Sequence, residues 1–244
     1  MTDSTPIAGP APRVSVITST FNRAEIVRGA IASVRAQTFG DWEMCVVGDC
    51  TPDHTADVVA SFNDPRVRFF NLAEKSPPRS HGSLAKNHAL RHMARGRYIA
   101  YLDDDDHYLP HHLRLLAGYL DAHSDARFVY TRCRYRDKRT GGRVWGNPFQ
   151  RWMHGYSREK LKRYNFIDTD CVMHWRSLVD EVGGWDPGFY FDDYELWLRI
   201  SEKYPLHHLN RVTVDKFIIE EPFLRRAVSK GMRILRHGRH TPLE

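Results

Sequence analysis

No stretch of this 244-residue chain is apolar for the roughly 20 residues that a membrane-crossing helix needs. The opening segment, residues 1–12, is rich in Pro, Ala, Ser and Thr and lacks an apolar signal core. It is expected to be a disordered leader, and the protein is expected to be cytoplasmic. Cysteine is scarce. Cys45, Cys50, Cys133 and Cys171 show no CxxC spacing, which argues against a zinc site or a disulfide framework and favours a reducing compartment. Internal repeats and low-complexity blocks are missing as well. So is glycine between Thr18 and Arg23, where a nucleotidyltransferase would carry a Gly-rich loop after its first strand.

What is present describes a globular protein. Hydrophobic residues make up 41% and aromatics 12%, and the length allows one large α/β domain or two small ones. A net charge of +6 suits an anionic partner such as a nucleotide, a phospholipid surface or a nucleic acid. From Arg225 onward there are six Lys/Arg and a single acid, Glu244. The segment from Glu221 to His237 reads as a basic amphipathic helix that either packs on the domain or lies on an anionic membrane, peripheral at its inner face. No nucleic-acid recognition motif accompanies the charge, so nucleic acid is not an expected partner.

Along the first hundred residues, strand and helix signals alternate. Val14 to Thr18 is a β-branched run that reads as a strand. It is followed by a helical pattern at Ile26, Val27, Ala30, Ile31 and Val34. Trp42 to Val47 and Val67 to Asn71 read as strands around a helix from about Asp53 to Phe62. A helix marked by Leu84, His88, Leu90 and Met93 is expected to close at Gly96. This alternation predicts an α/β fold with a mostly parallel sheet. Farther on, strands are expected at Arg127 to Tyr135 and around Cys171 to Trp175, with a hairpin turn at Thr140-Gly141-Gly142. Gly146 to Gly155 reads as a loop, as does Val182 to Gly188, and a helix follows at Asp192 to Ile200.

The most informative feature is the run Asp103 to Asp106 after the apolar strand Tyr98 to Leu102. Two carboxylates about 6–7 Å apart repel by roughly 2–3 kcal/mol at an effective dielectric near 20. Concentrating such charge at a strand end calls for a cation, and hard oxygen ligands suit Mg²⁺ or Mn²⁺ bridging to phosphates. A solvated acidic loop is the plainer alternative. In parallel sheets ligands bind beyond the carboxyl ends of the strands. The loops at Thr18 to Asn22, Gly48 to Thr51 and Asp103 to Asp106 should therefore converge there.

Four blocks in order resemble glycosyltransferase family 2, the inverting nucleotide-sugar transferases with a GT-A fold. The likeness spans roughly Arg13 to Ile200. Val16 to Arg23 is similar to the family's VIPTYNR. Val46 to Asp53 matches VVDDGSTD, with Gly48 in place of the first aspartate. Tyr98 to Asp106 matches the strand and DXD motif. Val182 to Asp186 with Asp192 to Trp197 is similar to GGFD…EDWDLW.

The resemblance implies a metal-dependent, inverting transfer from a nucleoside-diphosphate sugar to a glycan, lipid-linked or small-molecule acceptor. It divides one domain into a nucleotide-sugar half (13–107) and an acceptor half (108–220). It makes Asp193 the general base, with Asp192 positioning the acceptor or raising the base's pKa, although helix capping would also account for that pair. It makes Asp105 the first metal ligand. Asp103 or Asp104 would then contact the ribose, with the neighbour able to reach the metal. It directs Asp49 to the base N–H of a uracil-like or thymine-like ring, and Ser19, Thr20 and Phe21 to the nucleoside pocket. Lys86, Arg79 and Arg23 become candidate diphosphate contacts, Lys86 having a solvated-lysine alternative.

A third metal ligand is open among His207, His208 and His237. Trp185, His174, Trp152 and Tyr190 are candidates for stacking on an acceptor sugar or for the core. Gln150-Arg151-Trp152 lacks the spacing of the processive synthases' QxxRW, so transfer of one sugar per encounter is expected. A non-catalytic nucleotide-sugar-binding partner subunit is the alternative that Gly48 and Phe21 keep open.

Overall fold

The computed structural model describes residues 10–78, 80, 82–144, 155–189 and 191–219. Arg79, Tyr190, Trp152, His237, Gln150-Arg151 and the basic tail lie outside the described residues.

Eight strands form one sheet in the order β3-β2-β1-β4-β7-β6-β8-β5. They are β1 (Val14–Thr20), β2 (Trp42–Gly48), β3 (Val67–Asn71), β4 (Tyr98–Tyr101), β5 (His107–Tyr108), β6 (Phe128–Asp137), β7 (Val172–Trp175) and β8 (His207–Ile218). The first four run parallel, β7 is antiparallel to both β4 and β6, and β8 runs parallel to β6. β1, β2 and β4 are covered on both faces, which explains why they read as unbroken apolar runs and not as alternating ones. The boundary drawn between the two halves falls inside β5, and both halves share the sheet.

The helices follow from local chemistry. α1 (Ala24–Arg35) buries Ala24, Val27, Ala30, Ile31 and Val34 at helical spacing, while Ile26 points outward. Its first turn has no side-chain cap from Arg23. Instead the Asp53 carboxylate accepts the Ala24 N–H at 2.9 Å, tying α1 to the loop after β2. α2 (Thr55–Ser61) and α3 (Ser83–His88) complete the first half, and α3 runs on into a π-helical turn at Ala89–Met93. Gly96 is not its cap. A side chain at Gly96 would sit 2.5 Å from the Ser15 backbone nitrogen, so glycine is needed there for close approach to β1.

α4 (His112–Ala122), α5 (Arg158–Leu161), α6 (Ser177–Val182) and α7 (Asp192–Lys203) belong to the second half. Two apolar clusters fill the two faces of the sheet. One lies under α1, α2 and α4, the other under α3, α6 and α7. Among the described residues no helix is long and apolar enough to cross a membrane.

Candidate active site

A cavity of about 650 Å³ opens beyond the carboxyl ends of β1, β2 and β4. Ser19, Thr20, Phe21 and Arg23 reach it from the first loop, Asp49 from the second, and Asp103, Asp104 and Asp105 from the aspartate turn. Gly82 and Lys86 line it from α3, and Asp192 and Asp193 from the start of α7. The three strand ends therefore meet.

At the nucleoside side, Asp49 Oδ1 accepts from both the backbone N–H (2.9 Å) and the hydroxyl (2.5 Å) of Ser76. Lys75 Nζ lies 2.9 Å from Asp49 Oδ2 and 3.0 Å from the centre of the Phe21 ring. Burial would raise the Asp49 pKa, but Ser76 and Lys75 outweigh it and hold the carboxylate below its usual range. The loop itself is locked by Asn71, whose amide donates to the Thr51 carbonyl and whose oxygen accepts the Thr51 N–H, both at 2.9 Å. Cys50 adopts a left-handed φ of 54°, where VVDDGSTD has glycine. Gly48 is required by its surroundings, since a Cβ there would meet Asn71 Oδ1 at 2.5 Å and Thr51 Cγ2 at 2.8 Å.

The four aspartates take four different roles. Asp104 is buried and fully used: Thr20 Oγ1 donates to one oxygen at 2.7 Å and Arg23 to the other at 2.8 Å. Burial lifts its pKa above the ordinary carboxylate range. Asp105 is 20% exposed and pairs with Lys138 at 2.5 Å and with Arg23 at 3.4 Å. Asp103 exposes 46% of its side chain and approaches Lys216 at 3.3 Å. Burial of its surroundings would raise it, yet Lys216 and Lys86 hold it low. Asp106 faces away from the cavity, accepts the Phe217 N–H at 2.7 Å, and is pushed by burial to about 6.

At the other side, Asp193 Oδ2 accepts from Asn165 Nδ2 at 3.0 Å and from Thr169 Oγ1 at 3.4 Å. Burial, and after it the charge of Asp192, lift the Asp193 pKa to about 6. Asp192 is itself buried, held by Ser83 Oγ at 2.8 Å and Lys86 Nζ at 3.1 Å. Both aspartates sit in the first turn of α7, where the helix dipole favours their charge.

Several sequence expectations are corrected. Lys86 is not a solvated lysine: it is buried on the cavity wall, its ammonium paired with Asp192 and 4.0 Å from the centre of the Trp185 indole. Trp185 does not reach the cavity. It is buried, with its N–H directed to the Tyr101 hydroxyl at 3.3 Å. His174 is wholly buried in β7 between the Tyr101 hydroxyl (2.9 Å) and the Trp175 carbonyl (2.7 Å), and burial lowers its pKa to about 4. Neither can stack on an acceptor. His207 and His208 lie at the start of β8, level with Val129 and Tyr130, at the end of the strand away from the aspartates. They are not positioned as metal ligands.

Sequence reasoning missed Thr169, Asn165 and the half-exposed Phe191, which borders the cavity just before α7. It also missed Lys216, whose ammonium meets Asp103, Asp106, Asp168 and Asp170. The alternation of Val212, Val214 and Lys216 was a strand signal that could have found β8.

The sequence model of glycosyl transferase family 2 matches residues 15–182. The chain belongs to this family. An uncharacterized protein, y4gI, of Sinorhizobium fredii is 35% identical over 211 residues, covering 82% of this chain and 22% of that protein. The putative colanic acid biosynthesis glycosyl transferase WcaA of Escherichia coli is 27% identical over 205 residues, covering 79% of this chain and 67% of WcaA. The chain thus spans about a fifth of the first relative and two thirds of the second.

Among solved structures, the mannosyltransferase PcManGT of Pyrobaculum calidifontis, in complex with GDP-Man and Mn²⁺, superposes with a TM-score of 0.67 at 20% identity. The match covers 98% of this chain and 69% of PcManGT. Residues 1–349 of S. aureus TarS, in complex with UDP-GlcNAc, give a TM-score of 0.66 at 18% identity over 87% of this chain and 60% of that one. The family member described here therefore has a GT-A type fold.

Proposed function

We propose that this chain is an inverting, metal-dependent, non-processive glycosyltransferase that moves one sugar from a nucleoside-diphosphate donor to a hydroxyl acceptor on a glycan, lipid-linked or small-molecule substrate. The observation that carries this reading is a single cavity holding a carboxyl of raised pKa, Asp193, together with the partly exposed carboxylates of Asp103 and Asp105.

In this reading Asp193 accepts the proton of the acceptor hydroxyl. The oxygen attacks the anomeric carbon on the face opposite the diphosphate, the bond to the leaving oxygen breaks, and configuration inverts. A pKa near 6 leaves Asp193 mostly ionised at neutral pH yet more basic than an ordinary aspartate. Asn165 and Thr169 orient it through hydrogen bonds to Oδ2, leaving Oδ1 on the Tyr194 N–H at 2.7 Å.

The residues present fit a hard divalent cation. Asp104 is used up by Thr20 and Arg23, whereas Asp105 and Asp103 keep carboxylate surface towards the cavity. Mg²⁺ or Mn²⁺ held there would neutralise the departing diphosphate as a Lewis acid. The PcManGT complex with GDP-Man and Mn²⁺ supports the same reading. In this reading Phe21 would stack on the nucleobase and Asp49 would accept the N3–H of uracil or thymine, Lys75 moving off the ring and the carboxylate as the base enters, which favours UDP or dTDP donors.

The test is a donor panel of UDP-, dTDP- and GDP-sugars with Mn²⁺, with the product's anomeric configuration read by NMR. Turnover with inversion, abolished by Asp193→Asn while nucleotide binding persists, is the expected result. Binding without turnover on any acceptor class would make the chain a non-catalytic nucleotide-sugar binder.

A further inference from the structure

We infer that Lys216 is a positioning residue for the donor side of the cavity, its ammonium fixing Asp103 and the turn at residues 168–170 against each other. The inference rests on the reading of the cavity as a donor site. Nζ lies 2.8 Å from Asp170 Oδ2, 2.9 Å from Asp106 Oδ2, 3.2 Å from Asp168 Oδ1 and 3.3 Å from Asp103 Oδ2. These carboxylates come from two separate pieces of chain, the aspartate turn and the 3₁₀ turn Thr169–Cys171 with its cap Asp168. Lys216 comes from a third, β8.

Backbone hydrogen bonds join the same pieces. The Asp103 N–H donates to Asp170 Oδ1 and the Phe217 N–H to Asp106 Oδ1, both at 2.7 Å. A compact ammonium can share its three protons among acceptors arranged around it, which a planar guanidinium cannot do equally well.

The chemical consequence reaches both sides of the cavity. Oxygens of Asp103, Asp106 and Asp170 lie within 4.8 Å of one another, a spacing that could hold a metal ion. The lysine supplies the positive charge at that inner cluster. A divalent ion would then be held by Asp105 with Asp103, the two partly exposed carboxylates that line the cavity. Thr169, between two of the residues Lys216 holds, borders the cavity and donates to Asp193. One lysine thus stands behind Asp103 directly and behind Asp193 through Thr169.

The test is calorimetric titration of UDP and GDP, each with and without Mn²⁺, on wild type and on Lys216→Met and Lys216→Arg. The Mn²⁺-dependent gain in nucleotide affinity should fall about 10- to 100-fold in Lys216→Met, with metal-free affinity little changed, and Lys216→Arg should recover part of it. A folded Lys216→Met with the wild-type Mn²⁺-dependent gain would overturn the inference and leave Lys216 a stability residue only. Should Lys216→Met not fold, Lys216→Arg decides: a reduced gain supports the inference, and a wild-type gain overturns it. Absence of Mn²⁺-dependent binding in wild type would overturn the donor-site reading itself, a result visible before any variant is compared.

Discussion

Lys86 and Asp192 form a buried ion pair, Nζ to Oδ2 at 3.1 Å, with the ammonium resting on the indole of Trp185. This pair stands directly beside the carboxyl of Asp193 and sets its electrostatic surroundings, because Lys86 favours its charged form and Asp192 opposes it. Replacing Lys86 with Met leaves two adjacent carboxylates with no cation. The variant should lose about 3–5 kcal/mol in urea unfolding, the usual consequence of removing one partner of a buried pair. In any variant that stays folded, the acid limb of the activity profile should move to higher pH.

Asp193 itself offers a test in which stability and activity change in opposite directions. Its folded pKa, about 6, lies above the value it has in an unfolded chain, so the native state binds the proton more tightly. Ionising it therefore weakens the fold above pH 6, and stability returns as pH falls from about 6 towards 4. Asp193→Asn removes that penalty. At pH 8 it should be more stable than wild type by on the order of 1–3 kcal/mol, and the advantage should shrink at pH 5. Turnover should drop by about 10²- to 10⁴-fold at either pH. Paired thermal melts and initial rates at the two pH values check this.

Gly48 and Asn71 are a matched pair. Gly48→Asp drives a side chain into the Asn71 amide and the Thr51 methyl. Overpacking of this kind should cost about 1–3 kcal/mol and weaken nucleotide binding, since the displaced loop carries Asp49. Shortening Asn71 to Ser should cost stability on its own yet relieve part of the Gly48→Asp defect. A double-mutant cycle in denaturant should show coupling of about 0.5–3 kcal/mol; simple additivity would rule the pairing out.

Neighbouring aspartates in the turn should separate cleanly. Asp105→Asn, at a partly exposed position, should abolish Mn²⁺-dependent UDP binding with a change in stability of roughly 0.5 kcal/mol or less. Asp104→Asn should instead lower the melting temperature, because Asp104, unlike Asp193, bonds a cation: the amide gives up its ion pair with Arg23 as well as one of the two hydrogen bonds from Thr20 and Arg23. Calorimetry and melting curves on the two proteins distinguish a ligand from a brace.

The first four strands, α1 and the convergence of three loops were legible because their apolar residues recur at the period of the element that forms. Much of the cavity was legible for a related reason: Asp49, Asp103 to Asp105 and Asp192-Asp193 stand at strand or helix ends, where short motifs fix position. Acceptor-side aromatics were not. Trp185 and His174 differ from cavity residues only in which way the backbone turns them, and burial against Tyr101 decides that. Lys216 was hidden because its partners lie 46 to 113 residues away in sequence. Nothing local in Val-Asp-Lys-Phe reports four carboxylates.

The placement of Lys216 on β8 has a consequence for how this protein is made. Phe217, beside it, binds Asp106 across 111 residues of sequence. At a synthesis rate of about 5–20 residues per second, the aspartate turn leaves the ribosome roughly 6–20 s before the cation that compensates it. During that interval a nascent chain carries the acidic cluster without its lysine, and a chain truncated ahead of β8 never receives it. Closure of the sheet by its late strand and neutralisation of the aspartate turn are then one event.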